Sequence, residues 1–148
     1  MKQVEEHKLV VADGILKQQV ISMLKQNDLP VSDIDESKIL FALLEDDGLT
    51  GTGGLEVFDD CALLRSISVK KNYQGKGLGK FITRELERIC AEKEIFILYL
   101  LTTTAKDFFI KEGYQVIDRS GAPPSIKKTS EFSTVCSSSA ILMKKNIS

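Results

Sequence analysis

The sequence predicts an α/β fold, a mixed and mostly antiparallel central sheet with helices on both faces, and three stretches carry that expectation. Leu63 to Lys93 runs from an apolar strand through a glycine-rich loop into an amphipathic helix. Lys38 to Phe58 reads as two strands joined by a turn at Glu45-Asp46-Asp47-Gly48. Ile95 to Leu101 is an unbroken apolar run, the mark of a central strand covered on both sides.

Taken in order, Leu9-Val10-Val11 is a first strand, and apolar residues at Ile15, Leu16, Val20, Met23 and Leu24 give a helix that Asn27-Asp28-Leu29-Pro30 stops. Val31 to Glu36 is polar and acidic, a short helix or a loop. After the hairpin, Cys61 to Val69 alternates, with Leu63, Arg65, Ile67 and Val69 on one face and Leu64, Ser66 and Ser68 on the other. Leu78, Ile82, Leu86 and Ile89 then form the apolar stripe of a helix from Gly79 to about Lys93. Thr102-Thr103-Thr104 offers hydroxyls to cap a short helix, Ala105 to Glu112, which Gly113 ends. Tyr114 to Ile117 is a further strand, Ile126 to Glu131 a short helix, and Ser139 to Lys144 the last strand.

The length of 148 residues fits one domain, residues 1–148. No stretch is long and apolar enough to span a bilayer, and Met1 to Glu6 lacks the apolar core of a signal peptide, so a cytoplasmic location is expected. Three scattered cysteines and the lone histidine, His7, make a disulfide framework, a zinc ribbon or a Ser-His-Asp triad a poor fit, and no metal is expected. Charge is split: the first sixty residues hold five basic and thirteen acidic side chains, the rest fifteen and eight. Nucleic-acid binding would need basic clustering, and only Lys70, Lys71, Lys76 and Lys80 around the glycine loop cluster; they suit phosphate.

That loop reads Gln74-Gly75-Lys76-Gly77-Leu78-Gly79. Its glycines let the backbone approach a ligand, and the following helix points unpaired N–H groups into it, an arrangement that binds phosphate. A Walker loop would need a hydroxyl where Phe81 follows Gly79-Lys80. A dinucleotide fingerprint would need its third glycine one residue later.

Gln74, Gly77 and Gly79 match the acyl-CoA signature of the GNAT acetyltransferases: Gln or Arg, two residues, Gly, one residue, Gly or Ala. Residues 40 to 118 resemble that family, with Ile67-Ser68-Val69 and Tyr73 ahead of the loop and Ala105 to Tyr114 after it. The resemblance implies the GNAT acyl-CoA N-acyltransferase fold, with acetyl-CoA as co-substrate. Contacts to it would come from Ile67, Ser68 and Val69, from Gln74, Gly75, Lys76, Gly77, Leu78, Gly79 and Lys80, and from Thr102 and Phe108. It also implies that the strands Leu63–Val69 and Ile95–Leu101 splay apart after Val69 to admit the pantetheine arm, with a backbone N–H near Val69 polarising the acetyl carbonyl. Leu64 to Val69, Tyr99 to Ala105, Phe108-Phe109 and the tail from Glu131 to Ala140 resemble the branch encoded beside arsenic-resistance genes. Leu101-Thr102-Thr103 and the double aromatic are similar to the acetyltransferase domain of N-acetylglutamate synthases. Both suggest a small, amino-acid-like acceptor. Cys136 could ligate arsenic, but a lone thiol is more often a small apolar residue.

Two departures concern the chemistry. Many GNAT enzymes carry a tyrosine acid four residues after the alanine, where Phe109 stands, and a glutamate early in the fourth strand, where Leu63 stands. Glu56 is then the nearest candidate base, acting through water. Arg65 and Arg119 are candidates to bind an acceptor carboxylate. The expected activity is acetyl transfer from acetyl-CoA to a primary amine of a small molecule by direct attack in a ternary complex. Its partners are acetyl-CoA and that amine, with neither nucleic acid nor membrane, and a homodimer is left open. The alternatives are a non-catalytic acyl-CoA binding or sensing module and, within enzymology, protein N-acetylation.

Overall fold

The computed structural model describes residues 8–45, 48–130, 132 and 139–148. Seven strands form one sheet: β1 (Lys8–Val11), β2 (Lys38–Glu45), β3 (Gly48–Val57), β4 (Ala62–Val69), β5 (Ile97–Thr102), β6 (Gln115–Ile117) and β7 (Ile141–Asn146). Their order across it is β1-β2-β3-β4-β5-β7-β6. Only β4 and β5 run parallel. The helices are α1 (Gly14–Gln26), α2 (Leu78–Glu92), α3 (Lys106–Lys111) and α4 (Pro124–Lys127), with 3₁₀ turns at Lys71–Tyr73 and Arg119–Gly121. Mixed mostly antiparallel sheet and helices on both faces are as the sequence implied. Val31 to Glu36 holds no helix, and α4 ends before the expected Ile126–Glu131 segment does; Glu131, His7, Cys136 and the Asp46-Asp47 turn lie outside the described residues.

Alternation along the strands sorts the core. Phe41, Leu43, Leu55, Leu64, Leu98 and Leu100 face α2, which answers with Leu78, Ile82 and Leu86. A Cβ on Gly51 would stand 2.8 Å from Ile82 and one on Gly53 3.0 Å, so the bare backbone of β3 is what lets α2 lie this close. On the opposite face α1 packs Val20 and Leu24 against Leu40 and Ala42, while α4 packs Ile126 near Leu63, Tyr99 and Leu142.

One irregularity shapes everything near the glycine loop. Gly54 pairs with Arg65 and Thr52 with Ser68, so β4 holds one more residue than β3 at this point, and Ser66 takes φ of 57°. This is a β-bulge. It breaks the expected alternation: Ile67 and Val69 pack on the α2 side with Leu64, leaving Leu63 and Arg65 on the other. The parallel ladder also stops early. Ala62, Leu63 and Leu64 pair with Leu98, Tyr99 and Leu100, and no pairing continues beyond them. The strands therefore part after Leu64, rather than after Val69, because the bulge turns β4 away.

Candidate functional site

The first half of the site is the end of α2. Gly75 and Gly77 sit in the left-handed region, with φ of 82° and 81°, which bends the chain sharply into the helix. No side chain caps that end, and the first helical bond runs from the Phe81 N–H to the Gly77 carbonyl. The N–H groups of Leu78, Gly79 and Lys80 therefore lack intrahelical acceptors and point at whatever fills the loop. Lys70, Lys71, Lys76 and Lys80 are exposed around it, with the Lys76 ammonium 5.2 Å from the Tyr73 ring centre. Gly79 is not left-handed; a Cβ there would meet the Phe108 ring at 3.6 Å, an ordinary contact. Its use is to keep the opening clear.

A cleft of about 530 Å³ lies over this loop, bounded by Val69, Gln74, Gly77, Gly79, Lys80 and Phe108 among others. A second, of about 630 Å³, shares Val69, Gln74, Gly79 and Phe108 with it and reaches Asn27, Asp28, Ile67, Ser68, Thr104 and Phe109. A third, of about 540 Å³, shares Asp28, Ile67, Thr104 and Phe109 with the second and extends to Arg65, Ser66, Thr102 and Ser139. The shared walls make one trough, from a cationic loop through the parted strands to a polar chamber.

The backbone at the waist of this trough is arranged by the bulge. Lys70 N–H donates to the Thr50 carbonyl at 2.8 Å. Backbone groups alternate sides along a strand, so Ser68 and Lys70 face β3 while the N–H groups of Ile67 and Val69 face the gap. The Val69 carbonyl accepts from Gln74 Nε2 at 3.0 Å and from Asn27 Nδ2 at 3.5 Å, and the same Asn27 nitrogen donates to the Ser68 hydroxyl. Asn27 thus ties the end of α1 to the strand edge. Sequence reading saw in Asn27 and Asp28 only a helix stop. Asp28, with φ of 60°, is exposed and borders both inner clefts.

Arg65 is held otherwise than expected. Its Nη1 and Nη2 donate to the two oxygens of Asp33, each at 2.6 Å, and Nη1 also to Glu56 Oε1 at 3.1 Å. The Arg65 side chain is wholly buried, and those of Asp33 and Glu56 are 5% and 8% exposed. Burial opposes ionisation of Asp33, but the hydrogen bonds and charge of Arg65, with the charge of Lys38, outweigh it and hold the carboxyl below its ordinary value. The guanidinium is thus matched by carboxylates of its own chain, where an anchor for an acceptor carboxylate was expected. Glu56 is neither exposed nor at the cleft wall; it stands behind Arg65 as an ion-pair partner. Arg119 donates to the carbonyls of Ala140 and Phe132, at 2.9 and 2.8 Å, and stacks on the Phe132 ring, so it fastens the chain after β6 to the tail.

Thr102 borders the third cleft rather than the loop, and its hydroxyl accepts from the Ala105 N–H at 3.0 Å just ahead of α3, whose N-terminus has no side-chain cap, contrary to the expected capping by the threonines. Phe108 and Phe109 pack edge to face with ring centres 5.0 Å apart. Phe109 is buried and Leu63 wholly so, hence the two positions where acid and base were sought are apolar wall and core. Cys61 and Cys90 are buried, with burial raising both thiols, that of Cys90 to about 11. Among the described residues, no cluster of His, Cys, Asp and Glu could hold a metal ion, and no helix is long and apolar enough to cross a membrane.

Known structures share this architecture. N-acetylglutamate synthase from Neisseria gonorrhoeae, solved with coenzyme A and N-acetyl-glutamate, superposes with a TM-score of 0.82 at 15% identity, over 99% of this chain and 36% of that one. The chain thus spans about a third of that synthase's length. A GNAT-family acetyltransferase from Staphylococcus aureus Mu50 gives 0.76 at 18% identity, over 97% of this chain and 100% of the other. Ribosomal-protein-S18-alanine N-acetyltransferase from Escherichia coli gives 0.74 at 18%, over 97% and 95%. At these identities the likeness is one of fold. A family model described as the acetyltransferase (GNAT) domain matches residues 36–116, more than half of the sequence, and this chain, with its uncapped glycine loop and parted strands, belongs to the GNAT acetyltransferase family.

Proposed function

We propose that the protein transfers an acetyl group from acetyl-CoA to a primary amine of a small, amino-acid-like molecule. The observation that carries this reading is the trough: a phosphate-competent loop at one end, a strand gap in the middle and a polar chamber at the other. Pyrophosphate would rest on the N–H groups of Leu78 to Lys80 among the four lysines, and pantetheine would run along the free edge of β4 past Ile67 and Val69. The thioester would bring its carbonyl oxygen to the Val69 N–H. The neutral amine, entering from the chamber, attacks the carbonyl carbon; the developing oxyanion is held by that N–H, the nitrogen gives up its surplus proton to water, the C–S bond breaks, and the thiolate of CoA departs.

The thiolate can leave without a donor at Phe109, because a thiol of this kind titrates at about 8.5. Among the described residues neither cysteine, Cys61 or Cys90, borders the trough, and direct attack is the reading adopted. The small acceptor is suggested by the N-acetyl-glutamate bound in the Neisseria neighbour and by the likeness of Tyr99–Ala105 to the arsenic-resistance-associated branch. Phe109 and Leu63 keep a second reading in play, an acyl-CoA binding module without turnover. Free-thiol release from acetyl-CoA across a panel of small amines, with the products identified by mass spectrometry, decides between them: turnover supports transfer, and tight CoA binding with none supports the module.

A further inference from the structure

We propose that Asp33 sets the acceptor preference of the chamber against carboxylates, so that the acceptor is an amine whose neighbouring carboxyl is absent or masked as an amide or ester. The proposal rests on the transfer reading and narrows its substrate class. A free amino acid would need a cation for its carboxylate, and among the described residues the one cation bordering the chamber is Arg65. Its planar fork is already filled by the two oxygens of Asp33, at 2.6 Å each, in the geometry an acceptor carboxylate would adopt. Glu56 takes a further contact from the same nitrogen. With Lys38, which lies across from Glu56 and whose charge also acts on Asp33, two cations and two carboxylates balance, so Arg65 has no positive charge to spare, and Asp28 adds a negative charge at the chamber mouth. An incoming carboxylate therefore meets repulsion, and an ammonium group attraction. To use Arg65 it would have to expel Asp33, stranding a nearly dry carboxylate.

The test pairs glycinamide with glycine and leucinamide with leucine, comparing kcat/KM at equal concentrations of the neutral amine so that the differing basicity of the two amines cancels. The amide should win by about tenfold or more, the scale of one unfavourable charge contact in a poorly solvated site. Asp33→Asn releases one arm of the fork, so the ratio should fall toward unity by a gain for the free amino acid, with the KM for acetyl-CoA unchanged. A merely structural role would instead lower both acceptors together. A wild-type ratio near one, or in favour of the acid, overturns the proposal while leaving acetyl transfer standing, and needs no variant that folds. If neither acceptor turns over, transfer to this class fails, and thermal shifts of the CoA-loaded protein with N-acetylglycinamide against N-acetylglycine read the preference alone: a larger shift with the amide upholds it, and an equal or smaller one overturns it.

Discussion

Replacing Arg65 by methionine should destabilise the protein far more than loss of an ordinary ion pair. The guanidinium is fully buried and its partners Asp33 and Glu56 nearly so, so removal leaves two carboxylates facing each other with little water. Breaking a buried pair by deleting one partner costs about 3–5 kcal/mol, whereas an exposed pair is worth about 0–1 kcal/mol. For a chain of this size that corresponds to a fall in Tm of about 6–20 °C. The pH dependence gives an independent sign. In the native protein Asp33 has a lowered pKa, so its contribution is complete above the unfolded value of about 3.9 and is lost as pH falls below it toward the folded one. Without Arg65, burial acts on Asp33 with less opposition and pushes its carboxyl upward, so the variant should be more stable at pH 5 than at pH 7. Urea denaturation at both pH values measures this. A loss under about 1 kcal/mol with no inversion would mean that water reaches the cluster, and the charge balance drawn for the chamber would be wrong.

Gly79→Val should weaken acetyl-CoA binding by about tenfold or more, or about 1.4 kcal/mol, with the fold retained, since its backbone is ordinary and only the opening is filled; calorimetry and a thermal melt check both. Gly77→Val should lose binding and stability together, because φ of 81° strains any branched residue. Asp28→Asn should raise the acceptor KM about two- to fivefold with that for acetyl-CoA unchanged, as befits one exposed carboxylate facing an ammonium group. With no strong base at the cleft among the described residues, the rate should follow the acceptor's own titration: freeing an amine of pKa 7.7 at pH 7 costs about 1 kcal/mol, against about 4.6 kcal/mol for a lysine-type amine. Glu56→Gln should then lower kcat by less than the roughly 10² to 10⁴ expected of a true general base, a larger loss placing Glu56 in the chemistry after all.

Most of the fold was legible because its signals are periodic. The hairpin, the α2 stripe and the run at Ile95–Leu101 each repeat over several residues, and the Gln74 to Gly79 signature marked which end of α2 matters. The bulge was not legible. It rests on one serine, Ser66, taking a left-handed φ, which nothing in Leu64 to Ser68 announces, and it decided both where the strands part and which face Ile67 and Val69 occupy. Arg65 was correctly singled out as a cation on an apolar face, yet its main partner, Asp33, sits in an irregular loop 32 residues earlier in the chain, beyond any local pattern. Arg119 looked like a substrate anchor for a similar reason: its acceptors are backbone carbonyls, which every residue carries.

The central claim is direct transfer from acetyl-CoA to an amine in a ternary complex. Intact-protein mass spectrometry after incubation with isotopically labelled acetyl-CoA alone, followed by addition of glycinamide, tests it in one series. The account predicts no labelled protein before the amine is added, then labelled N-acetylglycinamide and free CoA in equal amounts. A labelled acetyl-enzyme that forms first and decays with the amine, or CoA held tightly with no product from any amine, would contradict it.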